Sequence, residues 1–200
     1  MPRPRSRSRE EVVAAAKTTF WKLGYVGTSL SDLERQTGVN RSSLYAEFGS
    51  KQHLFSEVLD LYHDEVVDPL IGGMEADPSA AAIAEFFSGV KRIIIEGQAG
   101  DHRGCLLVNT IAELSPRDET AAQRGVEFRD RLLAAFRGAL EHEASSGRNG
   151  DGYVGRRASM LLASTLGIWV CARMDPGDAA DRCDELIAEV LRWTSTSVAR

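Results

Sequence analysis

The chain has 200 residues, of which 43% are hydrophobic and 26% charged, and it carries a net charge of −5. This length is enough for one or two domains with a buried core, and the composition excludes a disordered or collagen-like chain. Three widely spaced cysteines form neither a disulfide framework nor a CxxC metal site, which suits a reducing compartment. The basic N-terminus lacks the apolar core of a secretory signal, and the longest apolar stretch, 160–172, is too short to span a bilayer. We therefore expect a cytoplasmic protein with no membrane segment, metal or other cofactor.

The net charge is unevenly distributed along the chain. Residues 1–51 contain nine Lys or Arg and five Asp or Glu, a net charge of +4, whereas residues 52–200 contain 15 and 24, a net charge of −9. The electrostatic footprint for nucleic acid is judged for each domain separately. A small basic domain at 1–51 joined to a larger acidic domain at 52–200 is therefore compatible with DNA binding.

Helical patterns follow one another along the chain, and no convincing strand pattern appears. Ser8 and Glu11 form a capping-box pattern that predicts the start of the first helix. Ser50 can cap a long fourth helix, which we expect to end at Pro69 and Gly72-Gly73 because these residues interrupt helices.

Five more helices are predicted in the acidic part. Asp77-Pro78 and Ser115-Pro116 each place a capping residue before a proline, which favours a helix start. The composition of residues 145–152 predicts a loop. The expected fold is all-α with about nine helices: a three-helix N-terminal domain, a long linking helix and a five-helix body.

The segment from Thr28 to Lys51 is the most informative part of the chain. It predicts two short helices joined by a tight turn, in which Gly38 supplies a positive φ and Asn40 caps the next helix. One side of the second helix is apolar, and the opposite side carries Arg41, Ser42, Ser43 and Tyr45. This is the layout of a helix-turn-helix, whose second helix lies in the DNA major groove.

With its flanking residues, this segment resembles the DNA-binding domain of the TetR family of bacterial transcriptional regulators. The resemblance covers about residues 9–60 and includes the first helix with its glycine exit at Gly24 and the start of the fourth helix after Phe48. It implies that Tyr45 and Lys51 hold DNA phosphates. This chain departs from many members in having Ala46 and Glu47 after the tyrosine, and we expect Glu47 to point away from the phosphates.

The chemistry of the remaining polar residues suggests further DNA contacts. Arg41 can bind guanine through two hydrogen bonds and is the main candidate for reading bases, together with Ser42 and Ser43; the alternative is a solvated or phosphate-bound Arg41. Thr28 and Ser29 lie at a helix N-terminus that favours a phosphate, although plain N-capping is equally compatible. An arm containing Arg3, Arg5 and Arg7 precedes the first helix and can enter the minor groove, unless it is only a solvated tail.

A second segment, Gly104 to Asn109, is similar to one branch of the family, in which it lies beside the effector pocket. The predicted pocket combines residues of this segment with apolar residues of neighbouring helices, and ordinary core packing is the alternative. These residues are Phe86, Phe87, Val90, Ile94, Cys105, Asn109 and Trp169.

Cys105 supports two further hypotheses. His102 and Arg103 nearby can lower the pKa of its thiol, which suggests a thiol- or electrophile-sensing regulator; simple burial of the cysteine is the competing interpretation. A cysteine-dependent enzyme with Cys105 as nucleophile and His102 as base lacks an orienting acid and an oxyanion hole, so we expect no enzyme.

Two C-terminal helices carry stripes of small and apolar residues. The resemblance implies that such helices form a two-fold four-helix dimer interface, although the same stripes could pack within one subunit. The residues are Leu161, Thr165, Ile168, Ala172, Cys183, Ile187, Val190 and Thr194.

These observations together predict a homodimeric, ligand-responsive transcriptional regulator that acts as a repressor. Its expected partners are a palindromic double-stranded DNA operator, a second copy of itself and a small apolar effector. Two recognition helices would then meet successive major grooves about 34–36 Å apart. A body that binds only protein partners is the remaining alternative for the acidic part.

Overall fold

The computed structural model describes residues 7–97, 103–115, 118–144 and 151–195, and within these ranges it contains helices and no strand. The prediction of an all-α chain is therefore confirmed. The helices are α1 (Arg9–Gly27), α2 (Leu30–Thr37), α3 (Arg41–Phe48), α4 (Lys51–Tyr62), a π-helical segment (His63–Val67), α5 (Asp68–Ala76), α6 (Ala80–Glu96), α7 (Leu106–Leu114), α8 (Glu119–Ala144), α9 (Asp151–Cys171) and α10 (Pro176–Ser195).

The chain divides into two compact units, Met1–Val67 and Asp68–Arg200. The expected boundary followed residue 51, which would assign α4 to the second domain. Instead, α4 packs on α1, where the ring of Phe55 lies 4.8 Å from the ring of Phe20 in an edge-to-face arrangement. The aromatic core of the N-terminal unit thus needs the first turns of α4.

The predicted end of the fourth helix at Pro69 and Gly72-Gly73 is wrong. After the π-helical segment the chain continues directly into α5, in which Pro69 is the second residue. Proline is tolerated in the first turn because the missing N–H has no intrahelical partner there. A Cβ at Gly72 or Gly73 would meet open space, and each glycine destabilises a helix by only about 0.5–1 kcal/mol relative to alanine.

Two helix starts in the C-terminal unit differ from the predicted positions. The side chain of Ser79, not that of Asp77, caps α6 by accepting a hydrogen bond of 3.1 Å from the N–H of Ala82. Asp118, not Ser115, accepts a hydrogen bond of 2.9 Å from the N–H of Ala121 in the first turn of α8. Pro116 and the predicted loop residues 145–150 lie outside the described residues.

A cluster of aromatic rings and a network of ion pairs hold the C-terminal unit together. The rings of Phe86 and Phe136 lie 5.3 Å apart and join α6 to α8. Arg131 of α8 donates to the carboxylates of Asp68 and Glu75 in α5, the latter at 2.8 Å. These carboxylates raise the pKa of Arg131, so its guanidinium stays charged throughout the usual pH range.

Candidate nucleic-acid interface

Helices α2 and α3 form a helix-turn-helix with the predicted caps. The hydroxyl of Ser29 accepts from the N–H of Asp32, whose carboxylate accepts in return from the N–H of Ser29. Gly38 ends α2 with a φ of 69°, a conformation that glycine adopts without strain. The side chain of Asn40 then caps α3 by accepting from the N–H of Ser43 at 2.9 Å.

Helix α3 has one buried side and one exposed side. Leu44 and Phe48 are buried against the rest of the unit, as their spacing predicted. The side chains of Arg41, Ser42, Ser43 and Tyr45 are exposed. The guanidinium of Arg41 lies 5.7 Å from the ring centre of Tyr45, so the strongest candidate base reader and the tyrosine share one surface.

Arg9, at the start of α1, forms hydrogen bonds with both the end of α3 and helix α4. Its guanidinium forms two hydrogen bonds with the carboxylate of Glu57, at 3.0 and 2.5 Å, and donates to the backbone carbonyl of Glu47 at 3.0 Å. It also lies 4.4 Å from the centre of the Phe48 ring. The hydrogen bond with Glu57 is the main cause of the raised pKa of Arg9.

The same guanidinium gives Glu47 a positive partner, since the Glu47 carboxylate lies 3.8 Å from it. That Glu47 points away from DNA phosphates stays a prediction, and this ion pair is compatible with it. Sequence reasoning missed Arg9 and Glu57 as organising residues because they are 48 positions apart.

Glu34 is a second residue that sequence reasoning missed. Its carboxylate accepts a hydrogen bond of 2.5 Å from the N–H of Arg41, the first residue of α3. An acidic side chain at a helix N-terminus satisfies a free N–H and interacts favourably with the helix dipole. Helix α2 therefore helps to fix the start of the recognition helix.

The residues expected at the phosphates have different surroundings. Ser29 is exposed, whereas Thr28 is only 1% exposed and its hydroxyl donates to the carbonyl of Gly24 at 2.6 Å. The ammonium of Lys51 donates to the carbonyls of Tyr25 and Thr28 at 2.9 and 3.0 Å. Thr28 and Lys51 therefore both donate hydrogen bonds to backbone carbonyls of the protein itself.

Of the predicted arm, only Arg7 lies within the described residues. Its guanidinium donates to the carbonyl of Gln36 at 3.3 Å, near the end of α2. Arg3 and Arg5 lie outside the described residues.

The predicted pocket residues form part of the core of the C-terminal unit. Asn109 is half-buried, and its amide donates to the carbonyl of Arg103 at 2.7 Å. Cys105 immediately precedes α7 and is 3% exposed; His102 lies outside the described residues. The other predicted residues, all buried, are Phe86, Phe87, Val90, Ile94 and Trp169.

An open apolar groove of about 790 Å³ lies between α7, α8 and α9. Its lining contains none of the predicted pocket residues. Two of those, Phe86 and Phe87, pack edge to face with their ring centres 5.1 Å apart. Its lining includes Val108, Ile111, Val126, Phe128, Val170 and Cys171. We call it the α7–α9 groove.

The two stripes predicted for a dimer are largely buried within the single chain, which agrees with the alternative that they pack inside one subunit. Ile187 is half-buried, and the side chain of Thr194 lies outside the described part. The buried residues are Leu161, Thr165, Ile168, Ala172, Cys183 and Val190. Burial raises the pKa of the Cys183 thiol to about 12.

Another side of the same two helices is open. A groove of about 640 Å³ runs between α9 and α10 and is lined by apolar, small and charged residues. Its lining includes Met160, Ser164, Gly167, Cys171, Leu186 and Glu189. We call it the α9–α10 groove.

Comparisons with known proteins agree with this architecture. Residues 12–58 match the family model of bacterial regulatory proteins of the tetR family. The chain is 32% identical over 116 residues to the transcriptional repressor ComR of Escherichia coli K12, a match that covers 57% of this chain but only 54% of ComR. A cysteine mutant of the TetR family regulator CifR, solved in complex with 26 bp double-strand operator DNA, superposes with a TM-score of 0.74. It is 26% identical, and the match covers 96% of this chain and 98% of CifR.

A second curated relative is YezE of Bacillus subtilis (strain 168), an uncharacterised HTH-type transcriptional regulator. It is 30% identical over 168 residues, which cover 82% of this chain and 84% of YezE. The relationship therefore includes most of the C-terminal unit as well as the helix-turn-helix. This chain belongs to the tetR family of bacterial regulatory proteins.

Proposed function

We propose that this protein is a DNA-binding transcriptional repressor that acts as a homodimer on a palindromic operator and responds to a small apolar effector. The observation that carries the proposal is the exposed face of α3, where Arg41, Ser42, Ser43 and Tyr45 lie together on a capped helix. Basic and hydroxyl side chains of this kind bind phosphates and base edges. The relative ComR is a transcriptional repressor, and the CifR mutant was solved in complex with operator DNA; both support the same role.

Arg41 is the residue we expect to read a base. A bidentate contact between arginine and guanine contributes about 1–3 kcal/mol of discrimination, so Arg41→Ala should relax preference at one position of each half-site. Ser29 and Tyr45 remain candidate phosphate contacts because both are exposed. Arg3, Arg5 and Arg7 remain candidates for the minor groove.

The dimer we propose uses the α9–α10 groove, whose lining includes one residue of the predicted stripes, Ile168. Small residues at Ser164 and Gly167 let a second copy approach closely, and Met160 and Leu186 supply apolar contact area. The charges in this groove come in both signs, since Arg182 pairs with Asp178 and Glu185. A two-fold axis places the same patch on both subunits, so mixed charge allows self-complementarity.

The α7–α9 groove is the proposed effector site. Ligand pockets are mostly apolar with a few polar groups, and Arg129 and Ser115 are the polar residues at this groove. An effector bound there can shift the protein between conformations only by its differential affinity for them. Thermal shift with a panel of apolar metabolites, in wild type and in Val126→Arg, tests this assignment.

Operator binding is tested with duplexes selected by the wild-type protein from a random pool, followed by band shifts over a range of salt. We expect enrichment of an inverted repeat whose half-sites lie one helical turn apart. In Arg41→Ala the base preference at one position of each half-site should be lost. Failure to enrich any repeat, even at low salt, contradicts the proposal.

We propose that the protein acts in the cytoplasm and is not an enzyme. No helix among the described residues is long and apolar enough to cross a bilayer. Thiol sensing through Cys105 stays a prediction, and the burial of this residue favours the competing interpretation as a packed core cysteine.

A further inference from the structure

A row of charged side chains follows one side of α10 along the α9–α10 groove. The charged residues that line this groove recur at the 3–4 spacing that places side chains on one face of a helix. Each of them is exposed or half-buried. Their charges along the chain are negative, positive, negative, negative and positive. We call these residues the α10 charge row: Asp178, Arg182, Glu185, Glu189 and Arg192.

Other residues of α10 have their partners inside the C-terminal unit. Cys183 and Val190 are buried in its core. The carboxylate of Asp184 accepts hydrogen bonds of 2.8 and 2.6 Å from the ammonium of Lys91 in α6. The α10 charge row is therefore a separate face of the helix, which borders the groove and not the packed core.

Ion pairs within the helix hold this row together. The guanidinium of Arg182 donates to the carboxylates of Asp178 and Glu185, at 3.0 and 2.9 Å. The guanidinium of Arg192 lies 2.5 Å from the carboxylate of Glu189. Because a guanidinium has five N–H donors, Arg182 can serve both of its own carboxylates and still donate to a carboxylate of another molecule.

The order of the charges distinguishes two ways in which α10 can lie beside α10 of a second copy. If a two-fold axis runs along the helices, they are parallel and each residue meets its own counterpart, so every contact joins like charges. If the axis crosses the helices near Glu185, they are antiparallel. Asp178 then lies opposite Arg192 of the second copy, because both are seven residues from Glu185, or about 10 Å along the helix. Arg182 and Glu189, three and four residues from Glu185, likewise face each other across the interface.

We propose that the α10 charge row selects an antiparallel alignment of α10 with α10 of a second copy, with Glu185 next to the two-fold axis. This inference rests on the proposed dimer and names the contacts by which one copy recognises the other. The axis repeats each pair, so the attraction between opposite charges acts twice. Near the axis the two Glu185 carboxylates repel each other, and Arg182, 2.9 Å from Glu185 in its own subunit, offsets this repulsion. Like charges in contact disfavour the parallel alternative.

The test uses two single variants, Arg182→Glu and Glu189→Arg. In a dimer of either variant alone, residues 182 and 189 of opposite subunits carry like charges at both symmetric positions. We expect the dissociation constant of the dimer, measured by sedimentation velocity, to rise by more than about tenfold in each variant. An equimolar mixture should recover the wild-type mass, because both positions of the mixed dimer then join opposite charges. Repulsion within a helix is the same in the mixture and in the separate variants, so it cannot account for this recovery.

A second pair of variants and a control keep the test decisive. Asp178→Arg and Arg192→Asp should also weaken the dimer separately and restore it when mixed, and they replace the first pair if one of its members fails to fold. Arg156→Glu is the matched charge reversal, because Arg156 is exposed on α9 and does not line the groove. We expect this variant to keep the wild-type mass.

The possible outcomes separate the alignment from the dimer itself. If the single variants and their mixture are all monomeric, the antiparallel alignment is wrong, while a dimer through the α9–α10 groove is retained. Wild-type dissociation constants in both members of a pair also overturn the proposal. Wild-type protein that is monomeric at every concentration contradicts the proposed dimer, and with it any alignment of two copies.

Discussion

Gly104 shows how a single residue fixes the start of α7. Its φ is 63°, and a Cβ at this position would lie 2.7 Å from the carbonyl oxygen of Trp169 in α9. An alanine must therefore adopt a strained backbone and also displace α9. We expect Gly104→Ala to lower the free energy of unfolding by about 1–3 kcal/mol, measured by urea denaturation.

The matched control is Gly138→Ala in α8. Gly138 has no positive φ, and a Cβ there would meet open space. We expect this variant to be more stable than wild type by about 0.5–1 kcal/mol, because alanine has the higher helix propensity. Equal effects of the two substitutions would show that Gly104 is not a close-packing position.

The cysteines differ in the reactivity that the structure predicts. Burial raises the pKa of Cys183 to about 12, so its thiol stays protonated near neutral pH. Cys105 is also buried, whereas Cys171 is half-exposed. Iodoacetamide at pH 8 should modify Cys171 first and Cys183 only on unfolding, as followed by mass spectrometry of peptides. Rapid modification of Cys105 would instead support the hypothesis that this residue senses thiol-reactive compounds.

The raised pKa of Cys183 also has a consequence for stability. The folded state holds the proton more tightly than the unfolded state, so the resulting stabilisation is present below pH 9 and is lost as the pH rises towards 12. Cys183→Ser should reduce the loss of folding stability at alkaline pH. Denaturant titrations between pH 8 and 11 can measure this difference.

At the level of elements, Arg9 at the start of α1 contacts both the end of α3 and the middle of α4. We expect Arg9→Met to increase hydrogen exchange at the end of α3, because the bonds to Glu57 and to the carbonyl of Glu47 are lost together. Operator affinity should fall as well, since the recognition helix loses its fixed orientation.

Lys17→Met is the control for this prediction. Lys17 lies on the same helix and forms an ion pair with Glu65 in the π-helical segment, away from α3. Its loss should leave the exchange of α3 unchanged. Similar exchange in both variants would mean that Arg9 does not orient the recognition helix specifically.

Elements governed by neighbouring residues were predictable from the sequence. Gly38 and Asn40 define the turn before α3 by their own conformational preferences, and Ser8 and Glu11 define the start of α1. The start of α6 was misplaced because Asp77 and Ser79 are both good capping residues, and the helix uses Ser79.

The surroundings of the candidate site were predictable only in part. The exposed face of α3 follows from its own pattern, but the contacts of Lys51 with Tyr25 and Thr28 join residues more than 20 positions apart. The stripes on α9 and α10 have the right spacing for an interface. Spacing alone cannot tell which of two partners, the same subunit or a second copy, covers a given stripe.

At the scale of the whole molecule, the proposed dimer gives a direct prediction. A Cβ at Gly167 in the α9–α10 groove would meet open space, so Gly167→Arg should fold as a monomer but block close approach of a second copy. Light scattering should show half the mass of the wild-type protein, and operator affinity should fall by more than tenfold because one half-site contact is lost.

Gly155→Arg provides the control on the same helix. A Cβ at Gly155 also meets open space, but this residue does not line the α9–α10 groove. Its mass should match that of wild type. A dimer that persists in Gly167→Arg would assign the interface to another surface.

Gly167 and Cys171 line both grooves of the C-terminal unit. If the effector and the second copy bind as proposed, they meet on the same face of α9, and their binding free energies must be linked. An effector that weakens dimerisation by a given factor is itself bound more weakly by the dimer, by the same factor. Such couplings are typically about 1–3 kcal/mol, so the apparent affinity for effector should depend on protein concentration. The amount of regulator in the cell would then help to set the effector concentration at which it responds.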